Sequence, residues 1–146
     1  MDNYTFKNIG MNQIEPLKKL FLLIKEMQCY ENKKLDKSSV INLLRERINC
    51  KFWSPSKEEL LEWEKKWFST PFENRFSDPS LQRSWHFNSW IEALETAELK
   101  FDNLIINNDG TGNLSFNQLA MPSGGIEATK YLIEIFDGEI TSENIL

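Results

Sequence analysis

The stretch NNDGTGNLSFNQL, residues 107–119, sets oxygen-bearing side chains at the spacing of a calcium loop. Laid on the EF-hand pattern, Asn107, Asp109 and Thr111 fall on the first three side-chain ligand positions. Gly112 falls on the turn, Leu114 on the hydrophobic position and Gln118 on the closing ligand. Calcium is a hard cation whose affinity rises with ligand charge. Here the first and last ligand positions are neutral, and Asp109 is the sole formal charge among them. The preceding LKFDNLIIN is rich in β-formers, and Pro122 cuts short any exiting helix. The expectation is therefore a hairpin whose glycines permit positive φ where the chain reverses, and no metal.

Other reactive groups are sparse. His86 is the single histidine, with no Ser or Cys arranged beside it as a nucleophile pair. Cys29 and Cys50 lie 21 positions apart and, with one histidine, fall short of a four-ligand zinc site. They read as reduced, partly buried thiols. Glu92 and Glu95 are a carboxylate pair on a helix, more in keeping with a solvated face than with acid–base work. Ser123-Gly124-Gly125 precedes a helix, yet it lacks the Lys-Ser/Thr of a phosphate loop, and Glu127, Asp137 and Glu139 follow. No cofactor is expected.

The elements that carry these residues begin with residues 16–30, where Leu17, Leu20, Phe21, Ile24 and Met27 recur at helical spacing behind Pro16. Ser38 or Ser39 starts a second helix with Val40, Ile41, Leu43, Leu44 and Ile48 as its apolar members. Ser54-Pro55-Ser56 opens a third, with Ser54 and Ser56 as competing caps. There Leu60, Trp63 and Trp67 form a seam that reads as core. Residues 69–80 read as a loop ending in a helical turn at Asp78-Pro79. Ser89 with Glu92 starts a further short helix carrying Trp90, Ile91, Leu94 and Ala97. From Leu99 the period changes to that of strands. Pro122-Ser123-Gly124-Gly125 stops the second strand, residues 126–137 form a last helix ended by Gly138, and Ile140 belongs to a short final strand. The fold class is α+β: several N-terminal helices through about residue 97, then a β-hairpin and a C-terminal helix completing a small antiparallel sheet, with residues 4–6 as an edge strand. Residues 1–146 read as one domain.

Composition excludes several classes. The chain is 40% hydrophobic and 27% charged, so it can build an ordinary core. Its longest apolar run, Leu20 to Ile24, is far too short to span a bilayer. The opening MDNYTFKNIG has no basic stretch followed by an apolar one, so no signal peptide is expected and the cytoplasm is the expected compartment. Residues 1–91 carry 15 basic and 12 acidic side chains, whereas residues 92–146 carry 2 and 10. Such an acidic third repels nucleic acid and favours a basic partner.

WHFNSWIEALETAEL (residues 85–99), GTGNLSF (110–116), PSGGIEAT (122–129) and FDG (136–138) together resemble the C-terminal halves of small bacterial immunity proteins of contact-dependent inhibition and other polymorphic toxin systems. The resemblance covers about 55 residues of pattern. It implies a cytoplasmic protein that binds a cognate toxin domain and blocks it, and it carries over no residue by position. Many toxin nucleases are basic because they hold phosphates, so an acidic inhibitor surface matches them. On that charge argument the partner-binding candidates are Glu92, Glu95, Glu98, Asp102, Asp109, Glu127, Glu134 and Asp137, with Glu127 and Glu134 on one side of the last helix. The rivals are a small enzyme with a site assembled around His86, and an unrelated interaction module.

Overall fold

A computed structural model describes residues 1–119 and 124–145. Pro122 and Ser123, expected from the sequence to stop the second strand, lie outside them. The described chain is a mixed helix-and-sheet structure. In order it runs β1 (Asp2–Lys7), a 3-10 turn, α1 (Ile14–Met27), α2 (Lys37–Leu44), α3 (Arg47–Cys50), α4 (Lys57–Ser69), two further 3-10 turns, α5 (Phe87–Thr96), β2 (Leu99–Ile106), β3 (Gly112–Gln118), α6 (Gly124–Ile135) and β4 (Glu139–Asn144). It divides into two compact units, Met1–Arg45 with Asn88–Leu146, and Glu46–Phe87. Among the described residues no helix is long and apolar enough to cross a membrane.

The larger unit is built on an antiparallel sheet of order β2-β3-β1-β4. The sequence pattern puts the helices before the hairpin and residues 4–6 in an edge strand; the first element is a strand, Asp2–Lys7, but it lies inside the sheet, because its backbone pairs with β3 on one side and β4 on the other. Tyr4 pairs with Leu114 of β3 on one side and with Glu143 of β4 on the other. Strict alternation makes this possible. Tyr4 and Phe6 point into the core at 1% exposure, while Asn3 and Thr5 face the opposite side. On that opposite side the Asn113 amide donates to Asn3 Oδ1 (3.1 Å) and Thr5 Oγ1 (3.2 Å), a polar ladder suited to an uncovered face.

The covered face holds the core. Leu114 and Phe116 of β3 and Leu99 and Phe101 of β2 are buried, together with the α1 stripe Leu17, Leu20, Phe21, Ile24 and Met27. Phe21 stacks on Phe101 with ring centroids 5.1 Å apart, and Tyr4 meets Phe116 at 5.5 Å. Trp90 of α5 is fully buried, and its indole N–H donates to the Ala128 carbonyl of α6 at 2.9 Å. A buried amide closes the first connection: the Phe101 N–H donates to Gln28 Oε1 (2.7 Å), next to a register shift between Phe101 and Asn103.

Local signals are met with small displacements. Asp36 caps α2 by accepting the Ser38 N–H, in place of a serine. Ser56, rather than Ser54, caps α4 by accepting the Glu59 N–H at 3.2 Å. α5 starts at Phe87, so Ser89 lies inside it. At the end of α6 the left-handed position is Asp137 (φ 66), with the Asp137 and Gly138 N–H groups closing back on the Glu134 and Ile133 carbonyls. The larger departure is α4. None of its residues is buried, so the Leu60–Trp63–Trp67 seam is not core. Cys29 and Cys50 are free and exposed, not partly buried.

Trp90→Phe removes a buried donor and leaves space around a smaller ring. It lowers unfolding free energy by about 2–3 kcal/mol in urea titrations; a loss below about 0.5 kcal/mol contradicts the role assigned to this contact.

Candidate functional site

The calcium-like loop is the turn between β2 and β3. Gly110 adopts φ 87 there, and its carbonyl accepts the Ile9 N–H at 3.1 Å. A Cβ at Gly110 would come within 2.6 Å of the Ile9 carbonyl oxygen, so both the backbone angle and the close approach require glycine. Asp109 Oδ1 accepts the Thr111 N–H (3.0 Å) and hydroxyl (2.6 Å). Those two bonds hold its carboxyl below the usual carboxylate range. The one charged ligand candidate is thus a turn-former in this structure.

The acidic third is most concentrated where α6 meets β4. Ala128, Leu132, Ile133, Ile135 and Phe136 bury one side of α6. Glu127, Lys130 and Glu134, spaced by three and four, follow the less buried side. β4 is an edge strand. Its register shift opposite Thr5/Phe6 sets Glu143 across from Tyr4, whose side chain faces the helices, and Glu139 across from Lys7. Lys130 Nζ reaches Glu143 Oε1 at 2.6 Å, tying helix to strand. An open groove of about 580 Å³ runs along the join, lined by Lys130, Glu134, Ile140, Thr141 and Glu143 among others.

The electrostatics there are crowded. The hydrogen bond to Glu143 holds the Lys130 ammonium above the usual lysine range. Partial burial pushes the Glu134 carboxyl up; Lys130 opposes this, and the charges of Glu127 and Glu143 add to it. The Tyr4 hydroxyl donates to the Ile126 carbonyl at 3.2 Å, and burial, reinforced by Glu143 and Glu127, pushes its pKa well up. One ammonium therefore sits among three carboxylates that repel one another.

The other sequence-selected acids are dispersed. Glu95 is half-buried and accepts the Leu35 N–H at 2.8 Å, fixing the connection after α1. Glu92 is exposed on α5, and Glu98 is exposed beyond its end. Asp102 accepts the Ser115 hydroxyl at 3.1 Å across the β2–β3 pair. Asp109 stands at the hairpin turn, and Asp137 accepts the Gln13 side-chain amide at 3.3 Å. Only Glu127 and Glu134 join the α6–β4 cluster. Glu143 completes it and is absent from the sequence selection. Plain alternation would put Glu139 and Glu143 on one face, and the bulge that separates them has no sequence signature. His86 is exposed and lines neither this groove nor the two others described below.

The smaller unit carries a second surface of a different kind. Trp53, Trp63, Trp67, Phe76 and Phe72 form a chain of ring contacts with centroids 5.3–6.1 Å apart. Trp63 is held by its indole N–H donating to the Leu81 carbonyl at 3.0 Å. A groove of about 260 Å³ opens beside Trp53 and Trp63. Another, of about 170 Å³, lies between α1 and β2 in the larger unit.

Compared with protein-family models, with curated proteins and with solved structures, the chain matches none.

A carboxyl whose folded pKa is raised favours the native state below its unfolded pKa and loses that contribution as pH rises through the folded value. Glu134→Gln therefore melts higher than the parent at neutral pH. The gap closes as pH falls below the ordinary glutamate range, where the carboxyl is protonated in both the folded and unfolded states. A difference in melting temperature that is constant from acid to neutral pH rejects this account of Glu134.

Proposed function

We propose that the chain is an immunity-type binding protein that holds a basic, cognate toxin domain and blocks its activity through protein–protein contact. The reading rests on the sequence resemblance and on one structural observation: Glu127, Glu134 and Glu143 share a face around a single lysine. Like charges held together repel, and a cationic partner relieves that repulsion on binding. The site is placed on rigid elements, since α6 is anchored by its buried side and the Trp90 bond, and β4 by its pairing with β1. A preformed acidic face loses little conformational freedom on association and steers a basic partner toward it. Cytoplasmic location belongs to the same proposal, because an inhibitor of this kind meets its toxin inside the cell.

This reading narrows the sequence-selected acids to Glu127 and Glu134 and adds Glu143. Asp109 and Glu95 are occupied by the fold itself, through Thr111 and Leu35.

The proposal predicts a toxin domain encoded beside this chain, and the test uses that domain. Co-expression with the chain restores growth, and the two purify together. Glu127→Lys with Glu134→Lys, both outside the buried core, slows association by about tenfold or more and reduces its salt dependence. An association rate unchanged by the double reversal refutes the acidic face. Growth that the chain does not restore refutes the immunity reading as a whole.

A further inference from the structure

The unit Glu46–Phe87 exposes apolar rings to an extent that folding alone does not explain. Phe68, Phe72 and Phe76 are 72%, 68% and 72% exposed. Single exposed apolar residues are ordinary, but Phe68 and Phe72 flank one cation, and Phe76 packs edge-on against Phe72 and Trp67 beside it. The Arg75 guanidinium lies 5.5 Å from the Trp67 ring centroid, 5.8 Å from Phe68 and 5.7 Å from Phe72. Its Nε–H donates to the Trp67 and Thr70 carbonyls at 2.9 and 3.1 Å, which fixes the side chain in place. Its Nη–H donors find no acceptor among the described residues, and no carboxylate there lies within ion-pair distance. The arrangement is an oriented, half-buried guanidinium set in aromatic walls, with its carboxylate-binding edge unused.

We propose that this surface is a docking site for a short apolar segment of another protein that carries a carboxylate. The carboxylate pairs with the Nη edge of Arg75, and the apolar side chains cover Phe68, Phe72 and Phe76. Three features select that occupant. Aromatic residues and arginine are the types that dominate the buried centres of interfaces. The three phenylalanines together offer on the order of 400 Å² of apolar surface, well under the roughly 800 Å² per partner of a stable interface, so a segment fits better than a second copy of this chain. The unit also balances seven basic and seven acidic side chains, so the acidity of residues 92–146 does not extend to it. An acidic segment therefore meets no net charge of its own sign there. This surface is independent of the acidic face on α6 and β4, and it fits a partner of the opposite charge.

The test uses the full chain and two fluorescein-labelled peptides of about a dozen residues with the same leucine content, their polar positions filled by Glu or Gln. Fluorescence anisotropy at near-physiological salt, where long-range repulsion is screened, gives the dissociation constants. The Glu peptide binds about tenfold or more tighter than the Gln peptide. Arg75→Gln erases the difference between the Glu and Gln peptides. Because Arg75 also braces the loop after α4, Phe72→Ala and Phe76→Ala provide separate tests: both positions are exposed, folding is retained, and each weakens the Glu peptide by about fivefold or more. Equal binding of the two peptides, or parent-like affinity in both phenylalanine variants, overturns the proposal. So does a labelled oligothymidylate that competes more strongly than the Glu peptide, which reassigns the rings to base stacking. A dimer in sedimentation that Phe72→Ala dissociates also overturns it, in favour of a second copy. None of these outcomes bears on the α6–β4 face.

Discussion

The hydrogen-bond ladders on both edges of β1 are what the larger unit depends on. β1 joins β3 to β4, so the first residues of the chain close a sheet whose other members begin about a hundred positions later. An interior strand satisfies its backbone groups on both sides, and its alternating side chains must suit both faces. Tyr4 and Phe6 supply the apolar face, and Asn3 and Thr5 supply the polar one. Without β1 neither β3 nor β4 would have a neighbour on that side, and β4 would lose its place beside α6. The α6–β4 groove exists because of this long-range pairing. Its acids come from a helix and from a strand that the N-terminus holds in position.

One-sided packing explains where charge can gather. Helices cover one face of the sheet, and the other presents Asn3, Thr5, Asn113 and Ser115 to solvent. At the margin of the covered face, Glu134 is partly withdrawn from water, with Lys130 and the exposed Glu143 paired beside it. Partial desolvation strengthens every charge–charge effect there. The exposed acids of α5 and the β2–β3 turn carry the same formal charge without that reinforcement. Many are engaged in shaping the chain, as Asp109 is by the hydrogens of Thr111 and Glu95 by the amide of Leu35. Formal charge along a sequence therefore overstates the number of groups available to a partner.

The helix α4 teaches a related point. Its spacing of Leu60, Trp63 and Trp67 is that of an amphipathic helix, which reports that one side is apolar but not what covers it. In the unit Glu46–Phe87 the rings cover one another and an arginine, and much of their surface faces outward. A short unit has too little chain to wrap a Trp-rich helix, since surface area dominates at small size. The same aromatic content that predicts a core thus yields an adhesive surface.

By itself the sequence determined the elements whose causes are local. The α1 stripe, the start of α4 within Ser54-Pro55-Ser56, the turn at Asn107 to Thr111 with its glycine, and the placing of Glu127 and Glu134 on one helix side all depend on contacts within a few residues. Tertiary structure alone decided the interior position of β1, the entry of Glu143 into the acidic cluster, and the exposure of the α4 rings. The reason is the same for each. Backbone pairing partners, the parity of a strand after a bulge, and the cover over an apolar stripe are set by segments far away along the chain, and residue types and their spacing carry no record of which segment arrives.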